Sequence, residues 1–179
     1  MNFLKSLRPG RVQLLGLLLA ALVYGADRWM KSYVLWTLML PQRQVIEILP
    51  FFDLRFVRNF GVSLGLLTSS STEMRWILIA LTGTISLGVL IWLLREKAKG
   101  DVLGLGLVLG GALGNIFDRY YYGFVVDYAD LHFGEFRPFL IFNIADAAIT
   151  IGVLIILARS FLSREKRVNA DVPEAAPES

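Results

Sequence analysis

Asn143, Asp146 and Thr150 form an i, i+3, i+7 stripe inside "FRPFLIFNIADAAITIGVLIIL", residues 136–157. The rest of that run is apolar enough to cross a membrane. A carboxylate in hydrocarbon costs roughly 2.5–3.5 kcal/mol on insertion scales, so Asp146 needs a reason to be there. If the helix starts near Phe139, Asp146 is expected about 10 Å inside it. A second carboxylate, Asp127, follows the apolar triplet of "FVVDY", with Asp130 and His132 close behind. Elimination narrows the chemistry. The chain has one histidine and no cysteine, which excludes a Cys-His nucleophile, disulfides and thiolate metal sites. No serine sits in a G-x-S-x-G turn and no H-E-x-x-H occurs. The lysines fall at span ends or in tails, and no phosphate-cradling glycine loop is present. What remains is a pair of carboxylates that share one proton. The ionised member takes a proton from water, the protonated member donates to a carbonyl oxygen, and the two titrate as a unit. Asp127 and Asp146 are the natural couple. Two other readings of the same residues stay open at this point: an intramembrane ion relay, and a structural subunit that packs through glycines.

The elements that must position this couple are membrane spans. The 179 residues are 55% hydrophobic and only 18% charged, below the roughly 25% of soluble domains, and mean hydropathy is +0.58. The formal charge of +3 is small and sits at segment ends, which suits lipid headgroups and argues against nucleic acid. Four spans are expected, at 12–34, 76–94, 102–118 and 139–159. Lys5, Arg8 and Arg11, then Arg95, Lys97 and Lys99, then Arg159, Arg164, Lys166 and Arg167 all fall on one side of such a bundle. Both termini are therefore expected to be cytoplasmic. The basic start, apolar run and "VYGA" also fit a signal peptide. The helix pattern continues through "DRWMK", with Asp27 and Lys31 at i, i+4, so the first span is expected to stay as an anchor.

The outer segment, 35–74, contains "FDLRFVRN", dense in β-branched and aromatic residues. Asp53, Arg55 and Val57 are expected on one strand face, and Leu54, Phe56 and Arg58 on the other. The fold class expected is a mainly α, four-helix transmembrane bundle with a small extracytoplasmic β-rich segment between helices 1 and 2. It forms a single domain over 1–164, followed by a disordered tail at 165–179. In the third span Gly106, Gly110 and Gly114 repeat every four residues, a spacing that lets helix backbones approach closely in lipid. Gly111, Asn115 and Arg119 share another face, with Asp118 beside them. Taken alone, Asn115 could be an interhelical hydrogen bond, Asp118 and Arg119 an interfacial pair, and His132 an interfacial ring.

The blocks "DRWMK" (27–31), "NFGVSLGLL" (59–67), "GGALGNIFDR" (110–119), "GFVVDY" (123–128) and "FNIADAAITIG" (142–152) occur in the order found in lipoprotein signal peptidase, also called signal peptidase II. The chain resembles that family from its first span to its last. The resemblance implies a hydrolase of the bacterial inner membrane: an intramembrane aspartic endopeptidase with four transmembrane helices. Such an enzyme removes the signal peptide from diacylglyceryl-modified prolipoproteins, cutting just before the lipidated cysteine, with its active site near the outer face. It implies catalytic roles for Asp127 and Asp146, and supporting roles for Asp27, Asn59, Gly111, Asn115, Arg119 and Asn143. Arg119 is expected to hold Asp118 or a substrate carbonyl. Partners implied are prolipoproteins and membrane lipids. A monomer without cofactor or metal is expected. Leu64 departs from the aromatic usual at that place, which bears on substrate fit. Nothing is carried onto Asp130 or His132.

Overall fold

A computed structural model describes residues 9–61 and 72–170, with side chains to 162; Leu64 lies outside the described residues. Four helices are long and apolar enough to span a membrane. The first is α1 (Arg11–Ser32), which runs on as a π-helical turn over Tyr33–Thr37. After the short α2 (Leu40–Arg43) come strands β1 (Val45–Leu49) and β2 (Phe52–Asn59). Then follow α3 (Thr72–Arg95), α4 (Lys99–Tyr121), β3 (Val125–Leu131) and α5 (Ile144–Ala170).

The centre of the bundle is α4, which packs on α1, α3 and α5, while α1 hardly touches α3. Half of its most apolar stretch is buried, against 11–17% for the other three spans. Glycine makes this possible. A Cβ on Gly106 would lie 2.5 Å from the Gly16 carbonyl oxygen of α1, and one on Gly110 2.5 Å from that of Ala20. On another side of α4, Gly104 and Gly111 face Gly152 and Ala145 of α5. Contact without side chains recovers dispersion energy where lipid supplies no hydrophobic driving force between helices. Hydroxyls on α3 are satisfied within the helix: Ser86 donates to the Thr82 carbonyl at 2.7 Å and Thr84 to that of Ala80 at 2.8 Å. Between α3 and α4, Glu96 accepts from the backbone N–H groups of Lys97 and Ala98 at 2.8 and 2.9 Å. Those bonds, the Ala98 one above all, hold its pKa below the ordinary value.

At the opposite end of the bundle the three strands form an antiparallel sheet in the order β1-β2-β3. β1 and β2 fall in the predicted outer segment. β3 does not: it lies between the third and fourth spans, where "VVDYADL" pairs with β2, as its β-branched start permits. The β2–β3 register shifts between Leu54 and Val57. Leu54 faces Ala129 and Val57 faces Asp127, so two residues of β2, Arg55 and Phe56, stand opposite Tyr128. This bulge puts Val57 on the Leu54 face and not, as simple alternation predicted, with Asp53. A core of Val34, Leu35, Leu40, Leu54, Val126, Tyr128 and Ala129 ties the sheet to the end of α1.

Two helix limits differ from expectation. α5 begins at Ile144, well after Phe139, because Phe142 is committed to the sheet: its N–H donates to Ala129 O at 3.1 Å, and its carbonyl accepts from Ala129 N at 2.8 Å. α5 also runs to Ala170, so residues 165–170, expected to start a disordered tail, are helical; Arg, Glu and Lys there are good helix formers.

Candidate active site

Asp146 lies in the first turn of α5, at its mouth. Asn143 precedes the helix, and the two residues cap each other. The Asn143 side-chain oxygen accepts from Asp146 N–H at 2.9 Å, and the Asp146 Oδ2 accepts from Asn143 N–H at 3.2 Å. This is the reciprocal capping box, with Asp in place of the usual Glu or Gln. The same Asn143 has a second task. Its amide Nδ2 donates to Asp127 Oδ1 at 2.7 Å, so one buried residue, through its side chain and its backbone N–H, joins the two carboxylates.

Asp127 reaches that point from β3. The sheet register sets Asn59 two residues beyond Val57, the partner of Asp127. Asn59 Nδ2 donates to Asp127 Oδ2 at 2.9 Å, and Asn59 Oδ1 accepts from Gly61 N–H at 2.8 Å. Burial pushes the Asp127 carboxyl up to about 6, and the neighbouring Asp146 charge adds to that. The Asn59 and Asn143 hydrogen bonds pull the other way, because they favour the carboxylate. Tyr128, next on the strand, is buried, and its hydroxyl is pushed well above the ordinary range.

Asn115, on α4, completes the cage. Its Nδ2 donates to Asp146 Oδ1 at 2.8 Å, while its Oδ1 accepts from Asn143 Nδ2 at 3.3 Å and from Lys31 Nζ at 3.2 Å. A lysine cannot accept, so Lys31 fixes which end of the Asn115 amide faces Asp146. Lys31 is itself fully buried, 2.8 Å from Asp27 and 2.8 Å from Asp118. Arg28 also pairs with Asp118. Two cations meet two carboxylates, so the network is neutral, as a buried charge cluster must be. Its carboxylates also hold backbone: Asp27 accepts from Ala145 N–H at 3.1 Å, and Asp118 from Val126 N–H at 3.1 Å.

Every predicted site residue therefore falls at this end of the bundle. Asp27 braces the start of α5 from α1. Gly111 gives α5 room, since a Cβ there would run into the Ala145 carbonyl oxygen. Gly114 does the same for Asp27, whose Oδ2 would lie 2.5 Å from an added Cβ. Arg119 does not take the first of its two expected roles, holding Asp118, because Asp118 is taken by Arg28 and Lys31. Instead Arg119 donates to the Asn115 carbonyl at 3.4 Å, and its buried Nε has no hydrogen-bond partner. A cleft of about 570 Å³ opens beside Asp127, Asn59 and Gly61. Among the described residues, no three His, Asp or Glu side chains are grouped to hold a metal ion.

The match with known proteins settles the family. Residues 19–162 fit the family described as signal peptidase (SPase) II. This chain belongs to the signal peptidase II family. A lipoprotein signal peptidase of Rhizorhabdus wittichii is 52% identical over 161 residues, covering 90% of this chain and 94% of that one. One from Sphingopyxis alaskensis is 50% identical over 156 residues, covering 87% and 90%. A bacterial membrane enzyme solved by the in meso method at 2.3 Å resolution superposes with a TM-score of 0.70 at 26% identity, covering 90% of this chain and 94% of that chain. The chain is accordingly a hydrolase of the lipoprotein signal peptidase family and a multi-pass bacterial membrane protein.

Lys31 belongs to the buried network of Asp27 and Asp118 although its position in the sequence does not mark it. It read as one of the lysines at a span end, because α1 was expected to stop at residue 34. The helical run in fact continues to Thr37, which leaves Lys31 inside. The one available signal was its i, i+4 spacing from Asp27, in a chain where a buried acid needs a cation.

Proposed function

We propose that the chain is an aspartic endopeptidase that cleaves diacylglyceryl-modified prolipoproteins just before the lipidated cysteine. Asp127 and Asp146 are the reacting pair. The observation that carries this reading is Asn143, which donates to both carboxylates at once, from its side-chain Nδ2 to Asp127 and from its backbone N–H to Asp146. Asp127, whose burial favours the protonated form, holds the shared proton and gives it to the scissile carbonyl oxygen. Asp146 takes a proton from water, whose oxygen bonds to the carbonyl carbon. Collapse of the tetrahedral intermediate breaks the C–N bond. The proton from Asp146 goes to the leaving amine, and the hydroxyl proton returns to Asp127, which restores the pair.

Asn59, Asn115 and Asn143 position the carboxylates through the hydrogen bonds described above. Asp27 and Gly111 set the α5 mouth against α1 and α4, and Arg119 offers its unpaired Nε–H beside the pair. Orientation follows from the basic residues at the other end of the bundle. Both termini are cytoplasmic and the site is near the outer face, where the acyl chains of a lipidated substrate hold its cysteine. The protein acts as a monomer on substrates drawn from the membrane, without a cofactor. The ion-relay alternative is disfavoured by placement: Asp27, Asp118, Asp127 and Asp146 gather at one end and form no path across the bundle.

The test is cleavage in detergent of a diacylglyceryl-modified prolipoprotein, beside its unlipidated form. The lipidated substrate should be cut, and the unlipidated one left whole. Asp127→Asn and Asp146→Asn should each remove the activity with the fold intact. Normal processing by either variant would sink the assignment of the pair.

A further inference from the structure

The cleft beside the carboxylates carries charge that peptide hydrolysis does not use. Arg58 and Arg137 both line it, together with Asp127. Arg137 donates to Asp130 at 3.2 and 3.3 Å. The same buried Asp130 accepts from Arg55 at 3.0 Å, so one carboxylate is shared between two guanidinium groups. Arg58 is exposed, and its contacts are aromatic: it lies 5.8 Å from the Phe56 ring and 5.4 Å from the Phe124 ring. Among the described residues no carboxylate forms an ion pair with Arg58. Three guanidinium groups, Arg55, Arg58 and Arg137, thus stand against one carboxylate, Asp130. Arg137 shares Asp130 with Arg55, and Arg58 has no carboxylate partner among the described residues, so the rim of the cleft holds guanidinium charge that Asp130 alone does not neutralise.

We propose that this rim selects substrates by the mature side of the cut, favouring a carboxylate on the residue just after the modified cysteine. The inference rests on the peptidase reading above. A signal peptide is apolar and lies along the spans, so only residues beyond the scissile bond reach the sheet side of Asp127, where Arg58 and Arg137 sit. Stacking on two rings limits the Arg58 rotamers while leaving its planar fork free for bidentate contact with a carboxylate. A phosphate of a lipid headgroup has suitable chemistry too, but the cleft is the one that contains Asp127. A headgroup lodged there would occupy the place of the substrate.

The experiment uses the full-length protein in detergent and three diacylglyceryl peptides that differ only in the residue after the modified cysteine: Asp, Asn or Lys. The order of kcat/KM should be Asp, Asn, Lys, with Asp about tenfold over Lys at low salt, as expected for exposed charge pairs. The ratio should shrink at about 0.5 M salt, where exposed charges are screened. Arg58→Gln should lower it to about threefold while the Asn peptide is cut at the parent rate, and Arg58→Lys should keep most of it. Adding Arg137→Gln to Arg58→Gln should bring it close to one. An unchanged ratio in that double variant would overturn the proposal. So would inhibition of all three peptides by added phosphatidylglycerol that Arg58→Gln relieves, since the rim would then be a headgroup site. If the unsubstituted protein cut none of the peptides, the peptidase reading itself would fall, and this one with it.

Discussion

Lys31→Met is the most informative single change, because it removes a cation that never touches substrate. Lys31 is fully buried and lies 2.8 Å from each of two carboxylates that are themselves fully buried. Methionine fills a similar volume, so the cavity left is small and the electrostatic effect dominates. Asp118 keeps Arg28, but Asp27 loses its cation and retains only the Ala145 N–H. Breaking a buried pair by removing one partner costs about 3–5 kcal/mol. For a chain of this size each kcal/mol lowers the melting temperature by about 2–4 °C, so a loss of about 10 °C in detergent is expected. The double variant Lys31→Met/Asp27→Asn restores neutrality and should recover at least half of that. Cleavage should not recover with it, because the Asn115 amide has lost the donor that sets its orientation toward Asp146. The assays are a thermal melt and cleavage of a lipidated substrate on the same preparations. A single variant that melts with the parent, or a double variant no more stable than the single, would refute the charge-balance argument. Recovery of activity along with stability would refute the orienting role.

Three further outcomes follow from the same geometry. The share of Asp127 that holds a proton falls as pH rises through about 6, so kcat/KM should decline on the alkaline side from that region. Asn59→Leu removes a hydrogen bond that favours the carboxylate and should move the decline to higher pH; a move downward would contradict the assignment. Gly111→Ala drives a methyl into the Ala145 carbonyl and should cost about 1–3 kcal/mol by overpacking; a melt within error of the parent would mean that α4 and α5 can separate freely. Asn143→Ala removes the cap of α5, worth about 1 kcal/mol, and also takes from Asp127 one of its two side-chain hydrogen bonds, leaving that from Asn59. Activity should fall by about a hundredfold or more, far beyond what the modest change in melting would suggest.

The spans, the glycine stripe and the acids were legible because each leaves a local mark: an apolar run of membrane length, small residues every fourth position, a charge where charge is costly. β3 was not, because a strand paired across a membrane helix has no local signature beyond "VVDY", and four of its seven residues also suit an apolar loop. The start of α5 was misplaced for a related reason. Phe139–Phe142 is as apolar as a span, and only its bridge to Ala129, a long-range event, removes it from the helix. The bulge in β2 escaped in the same way, since alternation assumes an unbroken ladder. Of the two partners expected for Arg119, Asp118 or a substrate carbonyl, the first fails because the partners of Asp118 come from α1, some ninety positions away.

The groups that hold Asp127 and Asp146 come from β2, α4, β3 and the mouth of α5, and a buried lysine of α1 sets them. The ribosome delivers these in order, and the Asn143 that joins the two acids arrives with the last span. A chain released early, or one whose final helix has not entered the bilayer, has both walls of the cleft but no linked pair. With Asp127 and Asp146 as the proposed reacting pair, the order of synthesis would keep the nascent chain inert until its own assembly is complete.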